Sequence, residues 1–373
     1  MRVLGFMTGT SLDGIDMAIL ETDGETLQGF GPAAEAPLPE PLRNLLRRVI
    51  AIALAHPRGA PDPALFAEAA RAIAEAHMTA GGAFLRSQGM DWSDLDLIGM
   101  HGQTVLHERP SEGRPGRTLQ LGDGAWLARR SGVPVAFDFR TADVAAGGEG
   151  APLAPVYHLA RAAASGLPAP LAVLNIGGVA NLTCWAGGEQ VLAFDTGPGN
   201  GLIDQVVLAR TGERFDRDGR LARAGRVDPG ALSRLLDHPY FAEPPPKSLD
   251  RYDFSPEATD ALELADAVAT LTAFTAEAVA RGFARAEIRP ASLIVTGGGR
   301  RNPAMMEALV ARLPCAVTDA ESVGWRGDAL EAEAFAFLAA RCLRGLPISF
   351  PGTTGVKAPM AGGRIARRKP GVA

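Results

Sequence analysis

The chain has 373 residues, of which 47 % are hydrophobic and 21 % charged, with a formal net charge of −5. That length exceeds what one core usually supports and points to two domains, while the mild acidity excludes the broad basic face that nucleic acid or an anionic membrane would call for. Cys184, Cys315 and Cys342 are too scattered for a disulfide framework or a zinc site; with no charged-then-apolar leader and no apolar run near ~18 residues, a reducing cytoplasm is the expected compartment.

In chain order, residues 2–7 read as a buried strand and 15–22 as its hairpin partner. Residues 41–55 and 63–86 are Ala- and Leu-rich at helical spacing. Strands follow at 95–100, ending at HGQT, and at 133–137, then a helix at 152–165. The second half restarts the pattern. LAVLNIGG (171–178) is a strand running into a glycine pair, VANLTCW and QVLAFDTG are two more strands, and 201–210 is a helix. Loops and short helices are expected across the polar, proline-rich 211–256. A long helix spans 262–284, a strand 293–296, and helices 303–312 and 328–344. The basic run Arg364, Arg367, Arg368 and Lys369 reads as a solvated tail. Both halves thus open with strands around a polar turn and then become helical, a structural repeat that favours α/β layers with mixed sheets and a ligand cleft between two lobes.

Three turns follow apolar runs: GTSLDG between Thr8 and Ile15, DTGPGN between Phe194 and Gly201, and TGGGRRN between Val295 and Pro303. Glycine lets backbone N–H groups line a concavity, and such concavities bind phosphate; Thr10 and Ser11 add hydroxyl donors. A carboxylate such as Asp195 belongs beside Mg²⁺, or acts as base toward an attacking hydroxyl. Any one of these turns is also an ordinary hairpin device; their joint occurrence across both halves carries the inference. The chain has no GxxxxGK[ST], no convincing GxGxxG dinucleotide motif and no HExxH.

The order of the turns resembles the superfamily of actin, hexokinase and the heat-shock chaperone ATPases. More closely, GFMTGTSLDGIDMAIL, IGMHGQTVLH, DFRTADVAAGGEGAPLAP, LNIGGVANLT, FDTGPGNGLID, PPPKSLDRYDF, VTGGGRRNP and DALEAEAFAFLA resemble, in order over nearly the whole chain, the anhydro-N-acetylmuramic acid kinases of peptidoglycan recycling. The resemblance implies a two-lobed, actin-like (ribonuclease H-like) α/β fold. The lobes are expected at residues 1–150 and 151–373, with the final helix able to pack back on the first and an ATP cleft between them. It implies ATP and Mg²⁺, a small anhydro amino sugar as substrate, no nucleic acid or membrane partner, and a cytoplasmic homodimer. Gly9, Thr10, Ser11, Leu12, Asp13, Gly14, Ile15 and Asp16 become the first phosphate loop. Gly197 and Gly199 become the second, and Gly297, Gly298 and Gly299 the adenosine turn. Asp195 becomes the catalytic carboxylate, with Glu331 a second candidate.

The HGQT turn, with His101 and Gln103, falls at the cleft in that family, and Asp138 and Arg140 face the sugar. Without the family, His101 reads equally as a structural histidine, Asp138 and Arg140 as a loop-stiffening pair, and Asp143 and Glu149, in the stretch that ends GGEGAP, either as marking a backbone approach to a ligand or as plain loop residues. His56, His77, His107, His158 and His238 share no metal spacing and are expected in surface or core roles. Two departures stand out. Met7 and Thr8 occupy the place where many superfamily members carry a metal-serving Asp, a role that passes in part to Asp13 or Asp16. Glu333 stands where an apolar or small residue is expected. The rival readings are an ordinary hexose or N-acetylhexosamine kinase and, outside enzymes, a chaperone-type ATPase or a sugar-sensing regulator. The last two lack a visible peptide-binding or helix-turn-helix extension.

Overall fold

Apolar runs broken by short polar turns build two sheets, each in its own unit of the chain. A computed structural model of the protein describes residues 1–9, 11–111, 113–249 and 253–368. One unit comprises Met1–Ala164, Ala329–Pro351 and the chain from Gly355; the other comprises Ser165–Asp328 with Gly352–Thr354. The division falls after Ala164, where the sequence suggested residue 150, and the chain re-enters the first unit at Ala329.

In the first unit, β1 (Arg2–Met7), β2 (Gly14–Thr22), β3 (Leu27–Pro37), β4 (Leu97–Met100) and β7 (Val135–Phe137) form one sheet with a last short strand, Arg364–Ala366. A separate hairpin joins β5 (Gln103–Glu108) to β6 (Arg117–Leu121). The sheet order is Arg364–Ala366, β7, β4, β1, β2, β3. β1–β2 and β2–β3 run antiparallel, β1–β4 and β4–β7 parallel. Helices Glu40–Ala55 and Ala64–Ser87 send Leu42, Leu46, Val49, Phe66 and Ile73 into a core shared with Leu4, Phe6, Ile15, Met17, Ile19 and Ile98.

Helix Leu330–Arg344 packs on β1, β2 and β4. It sits on glycine: Gly5 and Gly99 are register partners in β1 and β4. A Cβ on Gly5 would lie 1.9 Å from the Ala332 carbonyl oxygen, and one on Gly99 2.2 Å from that of Phe335. Glu333, unexpected in this helix, is fully buried and accepts the Tyr157 hydroxyl, which explains how a carboxyl is tolerated there.

The second unit repeats the plan. β8 (Leu171–Ile176), β9 (Val179–Gly187), β10 (Gln190–Pro198), β11 (Ser292–Thr296) and β12 (Ala316–Asp319) are ordered β10, β9, β8, β11, β12. The first three are antiparallel neighbours, and β8–β11–β12 run parallel. Numbered along each sheet, and setting aside the edge strand Arg364–Ala366 of the first, both show the order third, second, first, fourth, fifth, the ribonuclease H-like arrangement of an actin-like ATPase fold. Helix Leu264–Arg285 is buried along most of its length against this sheet. The stretch 211–256 carries the short helices Arg220–Ala224, Pro229–Leu236 and Pro239–Ala242. Among the described residues no helix is long and apolar enough to cross a membrane.

Candidate active site

The first turn leaves β1 at Met7 and enters β2 at Gly14. Thr10 lies outside the described residues. Leu12 donates its N–H to the Gly9 carbonyl, 3.2 Å, with a positive φ of 58°. Its side chain and that of Ile15 enter the core, so these two offer only main chain to a ligand. Arg43, on helix Glu40–Ala55, donates to the carbonyls of Leu12 (3.0 Å) and Asp13 (3.4 Å), holding the turn from behind. A Cβ on Gly9 would meet nothing nearer than Ser11 Oγ, at 3.4 Å. Ser11 and Asp13 are exposed, and Asp16 is half-buried on β2 opposite Met7.

Three of the residues proposed around this turn come together with it. Gln103 is fully buried and donates Nε2 to the Gly9 carbonyl, 3.3 Å. Its Oε1 has no hydrogen-bond partner among the described residues, a buried acceptor suited to a ligand hydroxyl. His101 lies 4.6 Å from the Phe335 ring. Arg140 can only donate, so its 3.4 Å contact makes His101 Nε2 the acceptor and Nδ1–H the donor to the Gly102 carbonyl, 3.0 Å. Arg140 also donates to the Gly150 carbonyl, 2.9 Å. Asp138 is engaged differently: it accepts the Thr141 hydroxyl at 2.5 Å and stands 3.9 Å from Arg364. Buried Asp143 accepts the Gly150 N–H, 2.7 Å, and shapes its loop.

His77, expected only in a surface or core role, is fully buried and shares a 3.0 Å hydrogen bond with Thr8 Oγ1, immediately before Gly9. Nothing in the local sequence of an alanine-rich helix signals that contact.

Burial pushes His77 down to about 3; burial, then the Arg140 charge, does the same to His101. Both imidazoles are therefore neutral at pH 7. An unfolded imidazole titrates near 6.5, so above that pH both states are neutral and the stability is whole. As pH falls from 6.5 toward 3 the unfolded chain takes the proton first and stability is lost, by about 2 kcal/mol for either ring at pH 5. The urea midpoint should accordingly be lower at pH 5 than at pH 7. Equal midpoints would contradict two neutral buried rings.

In the second unit, β10 slips register between Asp195 and Gly197, a bulge of the kind that re-aims a side chain. Asp195 is 7 % exposed and accepts the Leu249 N–H at Oδ2, 2.8 Å. The turn beyond it rests on the NIGG turn: Gly199, Asn200 and Gly201 donate to the Gly178, Gly177 and Gly178 carbonyls at 3.0, 2.7 and 3.2 Å. A Cβ on Gly199 would stand 2.3 Å from the Gly177 oxygen. The TGGG turn meets the same place. Gly297 has φ +72° and no room for a Cβ beside Asn175, while Asn200 lies against Gly298 and Gly299. The glycine turns of β8, β10 and β11 therefore form one cluster; the sequence marked the NIGG pair only as a strand end.

Arg300 anchors this cluster, donating to the Gly297 carbonyl (2.8 Å), to both Glu321 oxygens and to Asp328 (2.9 Å). Its guanidinium holds the Glu321 carboxyl below the usual range. Glu331 is exposed in the first turn of helix Leu330–Arg344. Among the described residues no three His, Cys, Asp or Glu side chains gather as a metal cage.

The family description for anhydro-N-acetylmuramic acid kinase matches residues 1–368. The chain is 63 % identical to anhydro-N-acetylmuramic acid kinase of Phenylobacterium zucineum (strain HLK1) over 98 % of this chain and 100 % of that protein. It is 63 % identical to the protein of that name from Caulobacter vibrioides over 98 % of each. It is 49 % identical to the one from Mesorhizobium japonicum over 97 % of this chain and 98 % of that one.

Proposed function

The chain belongs to the anhydro-N-acetylmuramic acid kinase family, and from that premise we propose how its residues carry out the chemistry. The reaction opens the 1,6-anhydro ring of 1,6-anhydro-N-acetylmuramic acid with water and phosphorylates the 6-oxygen with ATP, giving N-acetylmuramic acid 6-phosphate. Asp195 takes a proton from the water as its oxygen bonds to carbon 1. The bond from carbon 1 to the bridging oxygen breaks. That oxygen stays on carbon 6 and attacks the γ-phosphorus, and ADP leaves. The observation that carries this assignment is the buried Asp195 carboxylate, held by the Leu249 N–H at the register slip of β10, on the strand that leads into the glycine cluster. Glu331 is the second carboxylate considered for the role.

The amides of Gly9, Ser11, Gly14 and Gly197 are proposed to offset charge on the transferring phosphoryl, while Gly199, whose N–H goes to the Gly178 carbonyl, shapes the second loop. Asp13 and Asp16 flank the first loop, and Gly297, Gly298 and Gly299 are assigned to the adenosine side. Gln103 Oε1, His101, Arg140 and Asp138 are assigned to the sugar, the first because it is a buried acceptor still open to a donor. Mg²⁺ supplies charge neutralisation at the phosphates when bound. An ion carried by phosphates needs only one or two protein carboxylates, and Asp13 and Asp16 are the acids nearest the first loop in sequence. A cytoplasmic homodimer completes the reading.

The decisive experiment is one turnover in ¹⁸O-water, quenched before the reducing end exchanges, with mass spectrometry of the product. Label at carbon 1 and none in the phosphate is expected. Free N-acetylhexosamines phosphorylated while the anhydro sugar is untouched would make the protein an ordinary amino-sugar kinase.

A further inference from the structure

We infer that Tyr240 and Lys247 are positioning residues that hold Asp195 in its reactive orientation, an inference that rests on Asp195 being the base. The three side chains are 1 %, 5 % and 7 % exposed. They close a circuit of hydrogen bonds. The Asp195 N–H donates to the Lys247 carbonyl, 2.9 Å. The Lys247 ammonium donates to the Tyr240 carbonyl, 2.6 Å, and lies 4.0 Å from the centre of the Tyr240 ring. The Tyr240 hydroxyl donates back to the Asp195 carbonyl, 2.6 Å. Leu249, two residues beyond Lys247, donates its N–H to the Asp195 carboxylate itself. One segment thus grips both the main chain and the carboxylate of a single residue.

The location gives this grip its purpose. Asp195 precedes the register slip of β10, where the ladder to β9 no longer fixes the strand. Tyr240 and Lys247 supply the missing constraint from outside the sheet. Burying an ammonium is costly, and a methionine would fill the same space without that cost. A lysine here makes sense by what it holds, the Tyr240 carbonyl and ring. The ring is braced in turn by edge contacts with Phe241 and Phe254, at 6.0 and 6.1 Å between centroids. A base displaced by ~1 Å loses much of its rate, so orientation of the carboxylate is worth this construction.

The test uses the full chain with ATP and 1,6-anhydro-N-acetylmuramic acid. Tyr240→Phe removes only the hydroxyl, and Lys247→Met only the ammonium. Each is made alone and with Asp195→Asn. Each single variant is expected to lower kcat by about tenfold, the scale of one lost hydrogen bond, with both KM values within about threefold of wild type. In the Asp195→Asn background, Tyr240→Phe should change the residual rate less than about twofold, because the group it positions is gone. A merely structural tyrosine would cost the same factor in both backgrounds, and that additivity overturns the inference. So does wild-type kcat in both single variants while Asp195→Asn is inactive, an outcome that leaves the base assignment standing. If Asp195→Asn keeps its rate, the base assignment falls and the positioning inference with it. Should Tyr240→Phe fold poorly by thermal melt, Lys247→Met runs the same cycle.

Discussion

Asp195→Asn is expected to lower kcat by about 10²- to 10⁴-fold and to leave the fold and both substrate affinities nearly unchanged. The substitution preserves shape, and the amide oxygen can still accept the Leu249 N–H that the carboxylate accepts now. The main-chain bonds of Asp195 to Lys247 and Tyr240 are untouched. What disappears is the ability to take a proton from water. Steady-state kinetics with the anhydro sugar, beside calorimetric binding of ATP and of the sugar, separate the two effects. A variant that keeps a tenth or more of kcat would move the base elsewhere, with Glu331 the first place to look.

Gly5→Val is expected to destabilise the protein by about 3 kcal/mol or more, at the upper end of what overpacking costs. The atoms a new Cβ meets are the Ala332 carbonyl oxygen at 1.9 Å and the Ala336 nitrogen at 2.8 Å. Both are helix backbone. No rotamer change can clear them, so relief requires the whole helix Leu330–Arg344 to lift from β1 and its neighbour β4. Urea unfolding should show a lowered midpoint, and Gly99→Val should behave alike. Gly178→Ala is the control, since a Cβ there meets nothing within 4 Å. A Gly5→Val protein with an unchanged midpoint would contradict the close seating of the helix.

These two residues mark the limits of reading the chain from its letters. Asp195 stands out as a candidate from the letters alone: an acid after an apolar strand and before Gly-Pro-Gly has few neutral explanations. Gly5 does not, because RVLGFM reads as a buried strand whether or not a helix presses on its glycine. The strands with dense apolar runs, β1, β2, β8, β9, β10 and β11, were visible in the same way. β3 was not. Its LQGFGPAAEAP is poor in β-branched residues and carries Pro32, tolerated because the strand lies at the sheet edge. β5, β6 and β12 are short or polar and owe their form to their partners. The clamp on Asp195 was hidden for a different reason. Tyr240 and Lys247 sit in a stretch whose composition signals loop, and what they supply is partly main-chain hydrogen bonding, which side-chain identity does not encode.

The seating of helix Leu330–Arg344 on the glycines of β1 and β4 also sets an order of events during synthesis. The second unit is nearly continuous in sequence, Ser165–Asp328, and its whole sheet, β8 to β12, has been synthesised by residue 319. The first unit, although it begins earlier in the chain, has one sheet face open until residues 330–344 emerge and one edge open until Arg364–Ala366 follow. Its nascent strands must wait through most of translation with apolar surface uncovered, the circumstance in which chains recruit holding chaperones. The half of the protein translated first is thereby the half completed last.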